Sequence, residues 1–419
     1  MNKAPFGTIA LLSALLLTPA SLGADKPEKK FQPVDWAGTP VEVFAAKRNR
    51  VIGHDDGVPE KDMYQNYREP VVVKTWDGRL VCGVQAGNKH SWPERSGQDF
   101  VVSFSDDGGK TWSQPRVATE AGNGSVQSHG LVYDAKKDRL IALYTVFRFD
   151  YSQAKGRGQK FVAPLEKAML DKGEPLQLQF MVSSDDGGET WSVARDITAQ
   201  MPKHDKYIVR GHFGASEGRQ LTLGEHAGRL MLAGGAWLYD DKGGLQGKYI
   251  GTWYRDDHAQ TWHFSRILET SNTRVYSCES RVTELPDGSL LFNERTRSQG
   301  RQQARSTDGG KTWSELAQAP DLKASQCNGS LLTLRDVDGK LTDSVLLSVP
   351  SPGGRNNGYL YVSRDGGKTW PTCHDIVGGA FAYSALVQVD AETVGLFWES
   401  GHYRNISFTR LRVAKILGE

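Results

Sequence analysis

The chain is poor in cysteine. Its 419 residues hold 4, at positions 82, 278, 327 and 373. Their spacing fits no zinc motif, which excludes a cysteine-built metal module. Four cysteines permit three disulfide pairings or none, and buried free thiols are the plain reading. A dominant charge is missing too. Lysine and arginine number 51 against 49 acids, a net charge of +2, with the two signs interspersed. No block of charge marks a nucleic-acid or membrane-surface binder. Helical periodicity is hard to find beyond about residue 60, which argues against a helical bundle. The apolar run at residues 9–17 is too short to span a bilayer.

What the chain has instead is glycine, 46 residues, and tryptophan, 11. That composition suits short strands joined by tight turns. One octad dominates. Residues 105–112 read Ser-Asp-Asp-Gly-Gly-Lys-Thr-Trp, and close copies stand at 184–191, 306–313 and 363–370. A worn copy at 255–262 keeps only Asp257, Thr261 and Trp262 of the pattern Ser-x-Asp-x-Gly-x-Thr-Trp. The copies lie roughly 50 to 80 residues apart, so the chain is an array of similar units. Serine and aspartate oxygens accept amide bonds in a tight loop, and glycine supplies positive φ. Threonine suits a strand that follows, and the tryptophan ring packs on the unit. The aspartates read as turn formers rather than as catalytic or calcium-binding groups. Five repeated sites would mean five active sites, whereas a repeated turn needs only a repeated fold.

Residues 1–23 read as a signal peptide. Lys3 gives the positive start, 9–17 the apolar run, and Ser21-Leu22-Gly23 the small-residue cleavage site. No cysteine follows it, so a lipoprotein anchor is not expected, and the mature protein is expected to be secreted or periplasmic. Residues 24–40, with Lys26, Lys29 and Lys30, form a disordered or extended lead-in. Residues 41–419 read as a single domain. Strand patterns at 71–73 and 79–81 flank the turn Trp76-Asp77-Gly78. Residues 100–104 run into the first octad, and further strands follow to 406–411. Residues 148–175 are basic and irregular, a long loop of the kind that carries function. Twenty-odd short strands fit a β-propeller, and four strands per blade gives about six blades. Five octads then leave one blade without the motif.

Quieter stretches do not repeat. They are Tyr67-Arg68-Glu69-Pro70, Ser277-Cys278-Glu279-Ser280, Asn293-Glu294-Arg295, Cys327-Asn328-Gly329-Ser330, the run Ser348-Val349-Pro350-Ser351-Pro352-Gly353-Gly354-Arg355 with Arg355 a few residues after a Ser-x-Pro, Ala382-Tyr383-Ser384-Ala385-Leu386 and Phe397-Trp398-Glu399. In this order, over about residues 64–411, they resemble the motifs of the bacterial exo-α-sialidase (neuraminidase) family, whose Asp boxes the octads match. The resemblance implies an all-β fold, a six-bladed β-propeller of four-stranded antiparallel blades. It implies Arg68, Arg295 and Arg355 as a carboxylate-binding triad, with Glu399 steadying Arg68. It makes Tyr383 the nucleophile and Glu279 its base. The general acid/base falls on Glu94, one methylene longer than the family's aspartate, with Asp99 as the alternative. Asn88 and Glu69 depart from the family's usual arginine and apolar residue.

The chemistry suits these residue types. A sialic acid carries a carboxylate on its anomeric carbon, and arginine recognises carboxylates through paired, permanently charged donors. A carboxylate nucleophile would be repelled there, whereas a phenol is not. A phenol titrates near 10 in water, so it needs a base and cations around it. No cofactor or metal is called for. The expected partners are sialylated glycans, with no nucleic acid and no transmembrane segment after signal cleavage, and the expected state is a monomer. Three readings follow: a retaining hydrolase of sialic acids or of a related nonulosonic acid, a carbohydrate-binding propeller without turnover, and an Asp-box scaffold. Convergence of the three arginines separates the first two from the third.

Overall fold

The computed structural model describes residues 39–46, 51, 64–87, 97–122, 124–148, 167–258, 260–272, 274–298 and 300–419. The signal-peptide segment, most of the lead-in, most of loop 148–175, Asn88 and Glu94 lie outside the described residues. Two units are distinguished, Met1–Gln32 and Pro33–Glu419, and every element below belongs to the second.

Strand β1 (Val41–Ala45) comes first. Four antiparallel strands follow: β2 (Asn66–Lys74), β3 (Leu80–Gly87), β4 (Gln98–Ser105) and β5 (Arg116–Thr119). The next four are β6 (Ser125–Asp134), β7 (Arg139–Phe147), β8 (Gln177–Ser184) and β9 (Arg195–Asp196). A single pairing, Gln98 with Ser125, joins these two sets. Then come β10 (Ile208–His212), β11 (Ser216–Glu217), β12 (Arg219–Gln220), β13 (Leu230–Tyr239), β14 (Leu245–Arg255) and β15 (His263–Thr270). Sheet four is β16 (Tyr276–Glu284), β17 (Leu290–Thr296), β18 (Gly300–Ser306) and β19 (Ala317–Lys323). Sheet five is β20 (Ser330–Arg335), β21 (Leu341–Pro350), β22 (Asn356–Ser363) and β23 (Thr372–Ala380). The last is β24 (Ser384–Asp390), β25 (Thr393–Ser400) and β26 (Asn405–Arg412), against which β1 pairs antiparallel, Val41 opposite Phe408.

The first strands of the sheets abut in sequence. β2 lies against β6, β6 against the short β11 and β12, these against β16, β16 against β20, β20 against β24 and β24 against β2. The apolar core sits in the seams between neighbouring sheets. Val72, Leu80 and Val101 pack against Phe397 and Phe408 in one seam, and Leu331 and Val345 against Leu285 and Leu291 in another.

The octads connect the third strand of a sheet to the fourth. In the first, Ser105 Oγ accepts the Gly109 amide at 2.9 Å and donates to Asp107. Asp107 in turn accepts the Thr111 amide (2.9 Å) and hydroxyl (2.6 Å). The same pattern recurs at Ser184, Ser306 and Ser363. Threonine therefore closes the turn rather than opening the next strand, a correction to the sequence reading. In the worn copy Arg255 replaces the serine and pairs with Asp257. The sheet without an octad is the last one. Its fourth strand arrives from the other end of the chain, so it has no third-to-fourth turn to build.

The octads also join sheets. Trp112 packs edge-on against Phe397 and Phe408 of the last sheet, at 5.2 and 5.4 Å. Gly109, at φ 86°, leaves no room for a Cβ, which would meet Phe408 at 2.2 Å. All four cysteines are free thiols, three buried and Cys373 exposed. The fourth strands after the octads escaped the sequence reading, because β15 and β23 are half exposed and lack apolar alternation. No helix among the described residues is long and apolar enough to cross a membrane.

Candidate active site

The site forms where the inner strands β2, β16 and β24 begin and the strands β17, β21 and β25 beside the inner ones end. Glu399, near the end of β25 and 1% exposed, ties three segments. Its Oε1 accepts Arg68 Nε at 2.5 Å and the Glu69 amide at 2.9 Å. Its Oε2 accepts the Tyr383 amide at 3.3 Å, and its own amide donates to the Tyr383 carbonyl. Arg68 is itself buried, 2% exposed. Removing one partner of such a pair strands a buried charge, at a cost of about 3–5 kcal/mol.

Tyr383 stands just before β24. Its hydroxyl donates to Glu279 Oε2 at 2.7 Å, while Arg295 Nη1 donates to that hydroxyl at 3.0 Å and to Glu279 Oε2 as well. Burial and the Glu279 charge push the phenol well above its ordinary value, against the pull of Arg295 and Arg355. Burial would raise Glu279, but the Arg295 charge and the Tyr383 and Arg295 hydrogen bonds outweigh it and hold the carboxyl at about 2. At rest the proton therefore stays on Tyr383. Glu279 leaves a β-bulge in β16 in which Cys278 has φ 64°. Such strain costs about 1–3 kcal/mol and persists where neighbours over-determine the backbone.

Arg355 follows β21. Its guanidinium reaches the Gln326 carbonyl at 3.3 Å and the Tyr403 hydroxyl at 3.4 Å. Among the described residues it has no ion-pair partner. The Arg68 and Arg355 guanidinium carbons lie 5.5 and 5.4 Å from the Tyr383 ring centroid, and Arg68 also lies 4.5 Å over Tyr403. The three arginines thus converge on Tyr383. Two of them, Arg68 and Arg295, face a carboxylate of the protein, whereas Arg355 does not.

Tyr383, Glu279, Arg295 and Arg355 line a cleft of about 290 Å³, with Glu69, Gln127, His212, Trp237, Lys248 and Arg297 among its other walls. A larger cavity of about 530 Å³, beside Trp76, Glu284 and Arg335, has no such set of groups. Burial drives His212 down to about 4. It also lowers Lys248, which donates to the Tyr276 carbonyl at 2.6 Å. Asp99 is buried beside the Tyr64 hydroxyl (2.7 Å) and the Ala121 amide (3.4 Å). Glu94 lies outside the described residues. No group of three or more His, Cys, Asp or Glu suited to a metal ion occurs among the described residues.

The cleft walls Trp237, His212 and Lys248 and the ring Tyr403 had no signal in the sequence. They sit on ordinary strands and in a hairpin turn. Glu69 was legible only as a departure from a motif, and its backbone adopts φ 56°.

A family model described as "BNR repeat-like domain" matches residues 166–396, and one described as "BNR/Asp-box repeat" matches residues 103–114. A sialidase of Micromonospora viridifaciens is 30% identical over 407 residues, 94% of this chain and 58% of that protein. A sialidase of Bacteroides fragilis is 27% identical over 368 residues, 84% of this chain and 63% of that protein. The chain thus spans about six-tenths of these relatives. Among solved structures, a leech intramolecular trans-sialidase complexed with 2,7-anhydro-Neu5Ac superimposes with a TM-score of 0.70 at 18% identity, covering 91% of this chain and 71% of that one. That likeness shows the fold, a sialidase-type β-propeller of antiparallel sheets.

Proposed function

Because the chain belongs to the BNR repeat-like family in which the bacterial sialidases stand, we propose that it is a retaining exo-α-sialidase. The observation that carries this reading is the triangle of Tyr383, Glu279 and Arg295 with Arg68 and Arg355 over the tyrosine ring. Arg68, Arg295 and Arg355 clamp the carboxylate of a terminal sialic acid. Clamping places the anomeric carbon over the Tyr383 oxygen. As that oxygen attacks, its proton passes to Glu279, and Glu94 protonates the departing glycosidic oxygen. Water then attacks the same carbon and gives its proton to Glu94, while Tyr383 leaves and recovers its proton from Glu279. Two displacements restore the starting configuration.

The resting proton affinities support a concerted transfer. Glu279 becomes a competent base only as the phenol oxygen loses electron density to carbon. Asp99 is the alternative acid, but its bonds to Tyr64 and Ala121 favour a supporting role. We read the sheets as six blades, the last completed by β1, and the protein as an exported monomer acting on sialylated glycans without a cofactor. A related nonulosonic acid is a variant of this reading, since Glu69 lines the cleft where the family usually carries an apolar residue.

The test is proton NMR of the first product from an aryl α-sialoside. Release of the α-anomer is the expected result. No release leaves the binding-propeller reading, and a first-formed β-anomer rules out retention.

A further inference from the structure

The segment that presents Glu279 is irregular. Tyr276 stands opposite Thr296 and Ser280 opposite Glu294, so four steps along β16 are matched by two along β17. Cys278, inside the irregularity, has φ 64°, a conformation that residues with side chains seldom adopt. Bulges re-aim side chains. Here the re-aimed group is Glu279, which reaches Tyr383 at 2.7 Å. A strained bulge relaxes unless its surroundings hold it.

Glu294 on β17 holds it from behind. Its side chain is fully buried. One carboxylate oxygen accepts the Ser277 amide at 3.3 Å and the other accepts the Ser280 hydroxyl. Those two serines bracket Cys278 and Glu279. The Ser277 hydroxyl then accepts the Glu279 amide at 3.2 Å. A leucine would fill the same slot in the sheet and satisfy neither serine. A buried acid is costly where it serves no partner, and this one serves both flanks of a strained segment. Burial pushes its carboxyl up to about 7, despite the Ser280 hydrogen bond and the nearby Arg301 charge.

We propose that Glu294 is a positioning residue that grips Ser277 and Ser280 and so fixes the bulge aiming Glu279 at Tyr383. The inference rests on the sialidase reading of Glu279, and it concerns a side chain that touches no substrate.

The experiment compares Glu294→Leu, Glu294→Gln and Ser280→Ala on an aryl α-sialoside, with a crystal structure of the leucine variant. Misplacing a reacting group by about 1 Å costs on the order of 100-fold, so Glu294→Leu should lose about 100-fold in kcat while KM stays within about threefold. Glutamine can accept the Ser277 amide and donate to the Ser280 oxygen, so Glu294→Gln should return kcat to within about fivefold of the parent. Ser280→Ala, which removes one grip and little volume, should lose about tenfold. A leucine variant with kcat within about twofold of the parent, or with the loss confined to KM, overturns the inference. Should the leucine variant fail to fold, an unchanged kcat in Ser280→Ala overturns it equally. A parent protein that releases no sugar refutes the sialidase reading instead. The crystal structure then decides: Glu279 displaced from Tyr383 supports the positioning role, and an intact contact refutes it.

Discussion

The Tyr383 hydroxyl donates to Glu279 at 2.7 Å, although the two residues lie 104 positions apart and on different sheets. Arg295 holds both. The arrangement resembles a nucleophile with its base already in contact, and it sets the first expectation. Tyr383→Phe and Glu279→Gln should each lower kcat on an aryl sialoside by about 10²- to 10⁴-fold. Titration calorimetry with a non-hydrolysed sialic acid analogue should give Kd values within a few-fold of the parent. A Glu279→Gln variant with parental kcat would remove Glu279 from the mechanism.

Arg355 has no ion-pair partner among the described residues, and its partners Gln326 and Tyr403 are neutral. Its loss should therefore fall on binding. A charge-assisted hydrogen bond contributes about 1.5–3 kcal/mol, so Arg355→Ala should raise KM about 10- to 100-fold. Arg68→Ala should differ, because it also strands Glu399 and lowers thermal stability. Circular dichroism melts of the two variants check the contrast.

Glu94 and Asp99 compete for the acid. Glu94→Gln should slow hydrolysis of a natural sialoside by about 10²-fold or more, and of an aryl sialoside with a good leaving group by less. Asp99→Asn should act mainly on stability, through its contact with Tyr64. If Glu94→Gln leaves both substrates unaffected, the acid lies elsewhere.

Two buried histidines set an acid limit on stability. Burial lowers His129 to about 3 and His212 to about 4. The unfolded chain protonates both near 6.5, so between these values it binds more protons than the native state. Stability should fall as pH drops through that window, by about 1.4 kcal/mol per unit for each histidine. Urea melts from pH 7 to 4 measure the net slope, which Glu294, held at about 7 by burial, offsets by about one histidine's share above pH 4.5; His129→Gln should flatten it by one histidine's share more.

A glycine of the β2–β3 turn and a glycine of the first octad separate two physical effects. Gly78 has φ 95° and open space around its missing Cβ, whereas Gly109 has φ 86° and Phe408 at 2.2 Å. Gly78→Ala should cost about 1–2 kcal/mol through backbone strain alone. Gly109→Ala should cost a further 1–3 kcal/mol, roughly, by forcing the Phe408 seam apart. Equal losses on thermal denaturation would show that the seam yields.

Much of this molecule was legible because it rests on local chemistry. Ser105, Asp107, Gly109 and Thr111 satisfy one another within seven residues, so the turn was readable wherever the octad occurred. Arg68, Glu279, Arg295, Arg355, Tyr383 and Glu399 were legible through motifs flanking recognisable strands. Tyr403, Trp237 and Lys248 were not, because each is an ordinary residue on its own segment and joins the site only through distant neighbours. The half-exposed outer strands were hidden for another reason: neither face is buried enough to impose alternation.

By itself the sequence determined the repeated turn, the all-β class and the chemical types available to the site, since all of these depend on neighbours along the chain. Only the tertiary structure decided how the last sheet is completed and where the charges meet. β1 pairs with β26 across nearly the whole chain, and Arg68 finds Glu399 331 positions away. Pairings at that separation follow from which sheets abut, and burying their charges together is favourable only once the seams between the sheets have closed.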